Sequence, residues 1–469
     1  MKNLIKIIFV LSFLLPVCVN SQSLTWQRLY NGQSNSYDYG RGVCEGLNGN
    51  IFVTGYTFSG NAVILKLNQN GDTIWTKYFD SIKGFFILPT NNGGCIITGR
   101  ANLVFTLKLD SLGNTIWIKT YTESSQIITT DFIQTKNGGY IISGYKSGVS
   151  PVPSYLLKID SLGNDEWEKY YYGGYIRSFL SVAESKIGGY ILTGTNIDCE
   201  TCSGYPQILE ITSEGNILWE RNYELFADFE KIYLLNDEYL IGGTILDSPY
   251  VNSNAFIMKT NLSGDIIFKK NVKYGNREVL KDLVIFNEDK YVIACETDTL
   301  NQRSAGIYIL DLLGNIIHRN LFYVSDYSII YSIFPLRNND LIFCGTVHSN
   351  LPQGSDIYVV RSDSTLNVKP LFVRNKVDIS KKDYLLFQNY PNPFNPTTII
   401  KFKINPTKKS SYEIKISNLL GEIIESYEIK GNPVGEIHFN ATNISSGMYF
   451  YSLFKDNLII ETKKMFYIK

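Results

Sequence analysis

The sequence predicts an all-β chain: a seven-bladed β-propeller over residues 22–372, a linker over 373–384 and a small C-terminal β-sandwich over 385–469. Three observations predict it. A short apolar strand ending in glycine recurs about every 42 to 52 residues, the period of a propeller blade built from four strands. Aromatic residues make up 14% of the chain, with 33 tyrosines, a composition that suits strands. No stretch shows the 3.6-residue apolar spacing of a helical repeat.

The repeat begins at Asn50-Ile51-Phe52-Val53-Thr54-Gly55 and returns at Cys95–Gly99, Tyr140–Gly144, Tyr190–Gly194, Tyr239–Gly243, Tyr291–Cys295 and Leu341–Gly345. A second strand follows each copy, as in Leu65-Lys66-Leu67-Asn68, Leu107-Lys108-Leu109-Asp110 and Leu157-Lys158-Ile159-Asp160. Turns such as Gly113-Asn114, Gly163-Asn164, Gly215-Asn216 and Gly314-Asn315 then close hairpins onto an aromatic-bearing strand. Those aromatics are Trp75, Trp117, Trp167, Trp219 and Phe268, with His318 and Val368 at the equivalent places. Leu24–Tyr30 is an extra copy of that strand, and its counterpart at Leu366–Phe372 lacks the aromatic. The surplus strand is expected to pair beside residues 341–360, closing the ring and covering an exposed sheet edge. The repeats resemble the tandem propeller repeats of exported bacterial proteins over about 345 residues.

The first 21 residues read as a signal peptide. Lys2 and Lys6 precede an apolar run, Ile7 to Leu15, that falls well short of the ~20 residues of a spanning helix. Cleavage is expected between Ser21 and Gln22. Leu15-Pro16-Val17-Cys18 could be taken for a lipoprotein box, but Val17 is bulky where such a box wants a small residue. No later segment is apolar enough for a spanning helix. Lys plus Arg and Asp plus Glu are equal at 44 each, so no basic footprint for nucleic acid exists.

The C-terminal 85 or so residues carry the most specific signal. Gln388-Asn389-Tyr390-Pro391-Asn392-Pro393-Phe394-Asn395-Pro396 opens a run of short strands. Tyr412, Ile414 and Ile416 alternate with Glu413 and Lys415, as in a strand with one buried face. A turn at Leu420-Gly421-Glu422 follows, then Gly447-Met448-Tyr449 and a basic-then-apolar end, Lys463-Lys464-Met465-Phe466-Tyr467. This succession resembles the type A C-terminal sorting domain of the type IX secretion system of Bacteroidetes-like bacteria. The resemblance implies that Tyr390, Pro391, Asn392, Pro393, Phe394, Gly421, Gly447, Tyr449, Lys463 and Lys464 form the sorting motif. It implies that this domain binds the secretion machinery, and that the protein crosses the periplasm to the outer cell surface or the medium.

Candidate chemistry is sparse in the body. There are three histidines, His318, His348 and His438, with no His-x-x-x-His pair and no Gly-x-Ser-x-Gly elbow. His318 reads as a packing substitute and His348 as a loop residue. Cys199-Glu200-Thr201-Cys202 reads as a local disulfide in an oxidising compartment, or as half of a metal or redox site. Lys66, Lys108, Lys158 and Lys259 share one strand position, replaced by Glu210, Ile309 and Val359 elsewhere. A solvated or salt-bridged role accounts for them better than an anion-binding ring. The Asp160-Ser161-Leu162-Gly163-Asn164 turns lack the dense acids of a calcium loop. The expectation is a non-catalytic binding or adhesion module with no cofactor and an unknown extracellular glycan or protein ligand. A polysaccharide-active enzyme and a structural envelope or matrix component remain as alternatives.

Overall fold

A computed structural model describes residues 24–31, 37–121, 126–198, 204–247, 252–299, 302–322, 327–349, 354–369, 385–404, 411–418, 423–429, 433–455 and 458–469. The expected signal peptide, the linker at 373–384, the Cys199/Cys202 pair and Gly421 lie outside these residues. The chain divides into two compact units, Met1–Pro370 and Leu371–Lys469.

The first unit is a succession of small antiparallel sheets, each built by short hairpins. The first sheet holds Asp38–Glu45, Ile51–Thr57, Ala62–Leu67 and Thr73–Phe79, in chain order across the sheet. The next four repeat that order, beginning at Lys83, Ile127, Ile176 and Ala227. The two middle strands of each sheet are buried on both faces, which is why they read as continuous Val/Ile/Leu runs. Side chains from neighbouring sheets mix in shared clusters, as where Phe52 and Ile64 meet Ile97 and Phe105. Full burial of each such side chain is worth about 1.5–3 kcal/mol.

The closed seven-bladed propeller expected from the period is not found. Several four-stranded sheets are present, and no sheet closes into a barrel. The strands of residues 277–322 and 327–362 do not form two independent sheets. A parallel bridge between Arg303 and Tyr327 joins them, with Trp26–Tyr30, into one eight-stranded sheet. The physical reason lies at the innermost strands. Apart from the single bridge at Tyr327, these strands form a ladder on one side only, and side chains from the adjacent sheet, not a backbone ladder, meet N–H groups on the other side, at Val182, Ile232 and Ile333. The surplus strand does pair where the pattern placed it: Trp26–Tyr30 lies antiparallel to Ile357–Arg361.

The recurring glycine has a specific cause. Each first strand carries a bulge opposite this position, at Arg41, Phe85, Thr130, Leu180, Glu230, Lys281 and Tyr331, and the position is glycine in six copies and Cys295 opposite Lys281. The bulge presses a carbonyl onto the second strand. A Cβ at Gly55, Gly99, Gly144, Gly194, Gly243 or Gly345 would lie 1.8 to 2.2 Å from that oxygen.

The second unit is a β-sandwich. Leu385–Leu386, Thr397–Lys403 and Val434–Asn440 form one sheet. Ile423–Ile429, Tyr412–Ser417, Gly447–Lys455 and Leu458–Tyr467 form the other. Ile400 and Phe402 from the first face Tyr412, Ile414, Ile416, Tyr451 and Leu453 from the second in one buried core.

Candidate functional site

The seven bulged residues converge. All of them line a cavity of about 890 Å³ walled by the first strands of the seven repeats. That volume falls in the range of roughly 300–1,000 Å³ usual for small-ligand sites. A bulge re-aims its side chain and is common beside functional sites.

One residue further on, Asp131, Ser181, Lys231, Asp282 and Ser332 belong to a different system. Asp131 Oδ2 accepts hydrogen bonds from Ser181 Oγ (2.6 Å) and Val182 N (3.1 Å) in the following sheet. Ser181 Oγ in turn accepts from Ile232 N (3.3 Å). Asp282 Oδ2 accepts from Ile333 N (2.8 Å), and Ser332 Oγ accepts from Val43 N (3.4 Å). Lys231 Nζ bridges Asp131 (3.2 Å) and Asp282 (3.7 Å). Burial pushes the Lys231 ammonium down, but the two carboxylates outweigh it and hold its pKa above the ordinary lysine value. Burial also raises the Asp282 carboxyl, with Lys231 opposing. These acids are committed to joining sheets.

Glu230 is different. Thr244 Oγ1 donates to its Oε1 at 2.8 Å, while Oε2 is buried with no hydrogen-bond partner among the described residues. Burial pushes its carboxyl well above the usual carboxylate range. Neighbouring Lys281 is held by Glu296 Oε2 at 3.3 Å. Across the cavity wall the Arg41 guanidinium stacks on Tyr331, its Cζ 4.0 Å from the ring centroid, near the rings of Phe85 (5.5 Å) and Tyr56 (5.6 Å). Tyr39 stacks on Tyr56 (4.8 Å) and lies edge-on to His348 (6.0 Å). His348 is in the strand Leu341–Ser349, not a loop, and burial lowers its pKa.

Other candidates resolve structurally. Lys66 Nζ donates to Ser111 O (2.6 Å) and Lys108 Nζ to Ser161 O (3.3 Å), each in the next sheet, while Lys158 and Lys259 pair with Glu166 and Glu238. None of these lysines lines the cavity. In the Asp160 turn, Oδ1 accepts from Leu162 N and Asn164 N, and Oδ2 from Asn164 Nδ2. His318 is exposed and fills no core position. Among the described residues no group of three or more His, Cys, Asp or Glu is placed to hold a metal ion. Sequence reasoning missed the cavity ring. Its signal is the residue two places before the apolar Val43, Ile87, Phe132, Val182, Ile232, Leu283 and Ile333, but period alone does not say that these residues meet.

In the C-terminal unit the motif residues divide by burial. Phe394 is buried, with its ring 5.3 Å from Tyr467 and 6.0 Å from Phe439, and its N–H donates to Phe466 O (2.9 Å). Pro391 O accepts from Asn389 Nδ2 (3.0 Å) and Thr398 Oγ1 (2.8 Å), and Asn392 Oδ1 accepts from Phe466 N (2.9 Å). The opening motif is thus tied to the final strand. Tyr449 is buried and its hydroxyl donates to Ser445 O (2.7 Å). Lys463 pairs with Glu461 (3.0 Å), and Lys464 is exposed. Tyr390 is 80% exposed, and nothing surrounds Gly447 that would require a glycine.

Residues 388–469 match the family described as secretion system C-terminal sorting domain. The protein is exported by way of this domain, which engages the type IX secretion machinery, and it is secreted or held at the cell surface. Among the described residues no helix is long and apolar enough to cross a membrane. Curated proteins give no match to the chain. Among solved structures, a protein of unknown function from Bacteroides caccae is 14% identical with a TM-score of 0.43, over 64% of this chain and 100% of its own. The extracellular domain of a hybrid two-component system from B. thetaiotaomicron is 12% identical with a TM-score of 0.44, and covers 94% of this chain. This chain spans 57% of that protein.

Proposed function

We propose that the first unit, carried across the periplasm and exported by the sorting domain, is a non-catalytic binding or adhesion module. The observation that carries this reading is the division of labour in the cavity wall. Asp131 and Asp282, which a hydrolase of paired carboxylates would need free, are taken up by Lys231 and by backbone N–H groups of the next sheet. The side chains left to face a ligand are mainly aromatic and cationic, Phe85, Tyr331 and Arg41, with Glu230 in the same wall, a composition suited to recognition.

One observation favours a polysaccharide-active enzyme as the second reading. Glu230 has a buried, unpartnered carboxyl oxygen and a raised pKa in a cavity, the setting of a general acid. Screening the full chain against a glycan array and surface proteins separates the two. Saturable binding without product supports the module. Release of shortened glycans that stops in Glu230→Gln defeats it.

A further inference from the structure

The cavity wall contains a cation without a counter-ion. Arg41 has no carboxylate within ion-pair distance among the described residues, and its only hydrogen bond there runs from Nη2 to Tyr56 Oη (3.3 Å). Its Nε is buried and has no hydrogen-bond partner among the described residues. A buried donor on a charged group costs more than a neutral one when left unmet, so this guanidinium is poised for an acceptor from outside the chain. The aromatic rings around it fix its plane, which preorganises the fork that a carboxylate fits with two parallel bonds.

Two further observations narrow the ligand. The cavity wall also presents the Phe85 and Tyr331 rings and the Glu230 side chain, which suit the apolar face and the hydroxyls of a sugar, while the Thr130, Ser181 and Ser332 hydroxyls are already bonded within the sheets. A peptide adding as a strand is disfavoured, because N–H groups along the inner edges, at Val43, Val182, Ile232 and Ile333, are already bonded to the neighbouring sheet. We propose that the cavity binds a carboxylated saccharide, its carboxylate on the Arg41 guanidinium and its ring beside Phe85 and Tyr331. This rests on the binding-module reading and names its ligand class.

The test is calorimetric titration of the full chain with a tri-galacturonate and with its methyl ester. The acid form should bind at least tenfold more tightly than the ester. Arg41→Gln should bring the two within about twofold. Arg41→Lys, which keeps the charge but not the fork, should keep only part of the preference. Phe85→Ala should weaken both forms alike, and unchanged tryptophan fluorescence in each variant checks the fold. Equal affinity for acid and ester, a preference that survives Arg41→Gln, or no binding of either at millimolar concentration overturns the proposal. Saturable binding of a neutral glycan or a protein, undisturbed by Arg41→Gln, would overturn it while leaving the module reading intact.

Discussion

Replacing Lys231 by Met is the sharpest probe of how the first unit is held together. Among the described residues Lys231 is the single cation paired with Asp131 and Asp282, at 3.2 and 3.7 Å, and all three side chains are at least four-fifths buried. Met fills much the same volume, so the change is mainly the loss of charge. Removing one partner of a buried ion pair leaves an uncompensated charge and costs about 3–5 kcal/mol. Here the lower end applies, because Asp131 keeps Ser181 Oγ and Val182 N, and Asp282 keeps Leu283 N and Ile333 N. About 3 kcal/mol is therefore expected at pH 7. The deficit should shrink toward pH 4. Without Lys231 the Asp282 carboxyl, already raised by burial, loses the cation that opposes the rise, so it takes up a proton on acidification and its unpaired charge disappears. The assay is urea unfolding followed by tryptophan fluorescence, since all five tryptophans, Trp26, Trp75, Trp117, Trp167 and Trp219, lie in the first unit. A loss below about 1 kcal/mol at pH 7, or an equal loss at pH 4 and pH 7, would refute the role assigned to this triad.

Glu230→Gln should do the opposite. The folded-state pKa is raised above the unfolded value, so the folded chain holds a proton that the unfolded chain releases, and wild-type stability falls as pH climbs above about 4.3. The glutamine variant should be more stable by about 1–3 kcal/mol at pH 7 and nearly neutral at pH 4, as read by the same unfolding curves. Gly144→Ala should cost about 2–4 kcal/mol, because its Cβ would meet Ile128 O at 2.2 Å. Gly138→Ala, with nothing within 4 Å but a φ of +85°, should cost only about 1 kcal/mol. In the sorting domain, Phe394→Ala should destabilise by about 3–5 kcal/mol and lower the exported fraction in a type IX-competent bacterium. Tyr390→Ala should leave stability within about 0.5 kcal/mol, measured by hydrogen exchange across residues 385–469.

Much of the local structure was legible because its causes are local. Alternation in Tyr412–Ser417 specified which face is buried, and Ile414 and Ile416 are indeed wholly buried. The Asp-Ser-Leu-Gly-Asn segments are turns because each aspartate satisfies its own loop, within four residues. The recurring lysine meets carbonyls and glutamates of the sheets themselves, partners that lie within one repeat or the next. His318 and His348 were misplaced because exposure and strand ends depend on the partner strand, here Ile309 opposite His318 and Tyr327 opposite His348.

The sequence by itself determined that the chain is a repeating series of short antiparallel strands followed by an export domain. Strand alternation, glycine turns and the Tyr390–Phe394 motif are all written in contiguous residues. Only the tertiary structure decided what the repeat amounts to. A 50-residue period is equally compatible with a closed ring and with separate sheets, because closure depends on where backbone edges find partners. Here side chains such as Asp131, Ser181, Asp282 and Ser332 meet those edges, the sheets stay small, and the bulges opposite the repeated glycines bring Arg41, Glu230 and Tyr331 to one cavity.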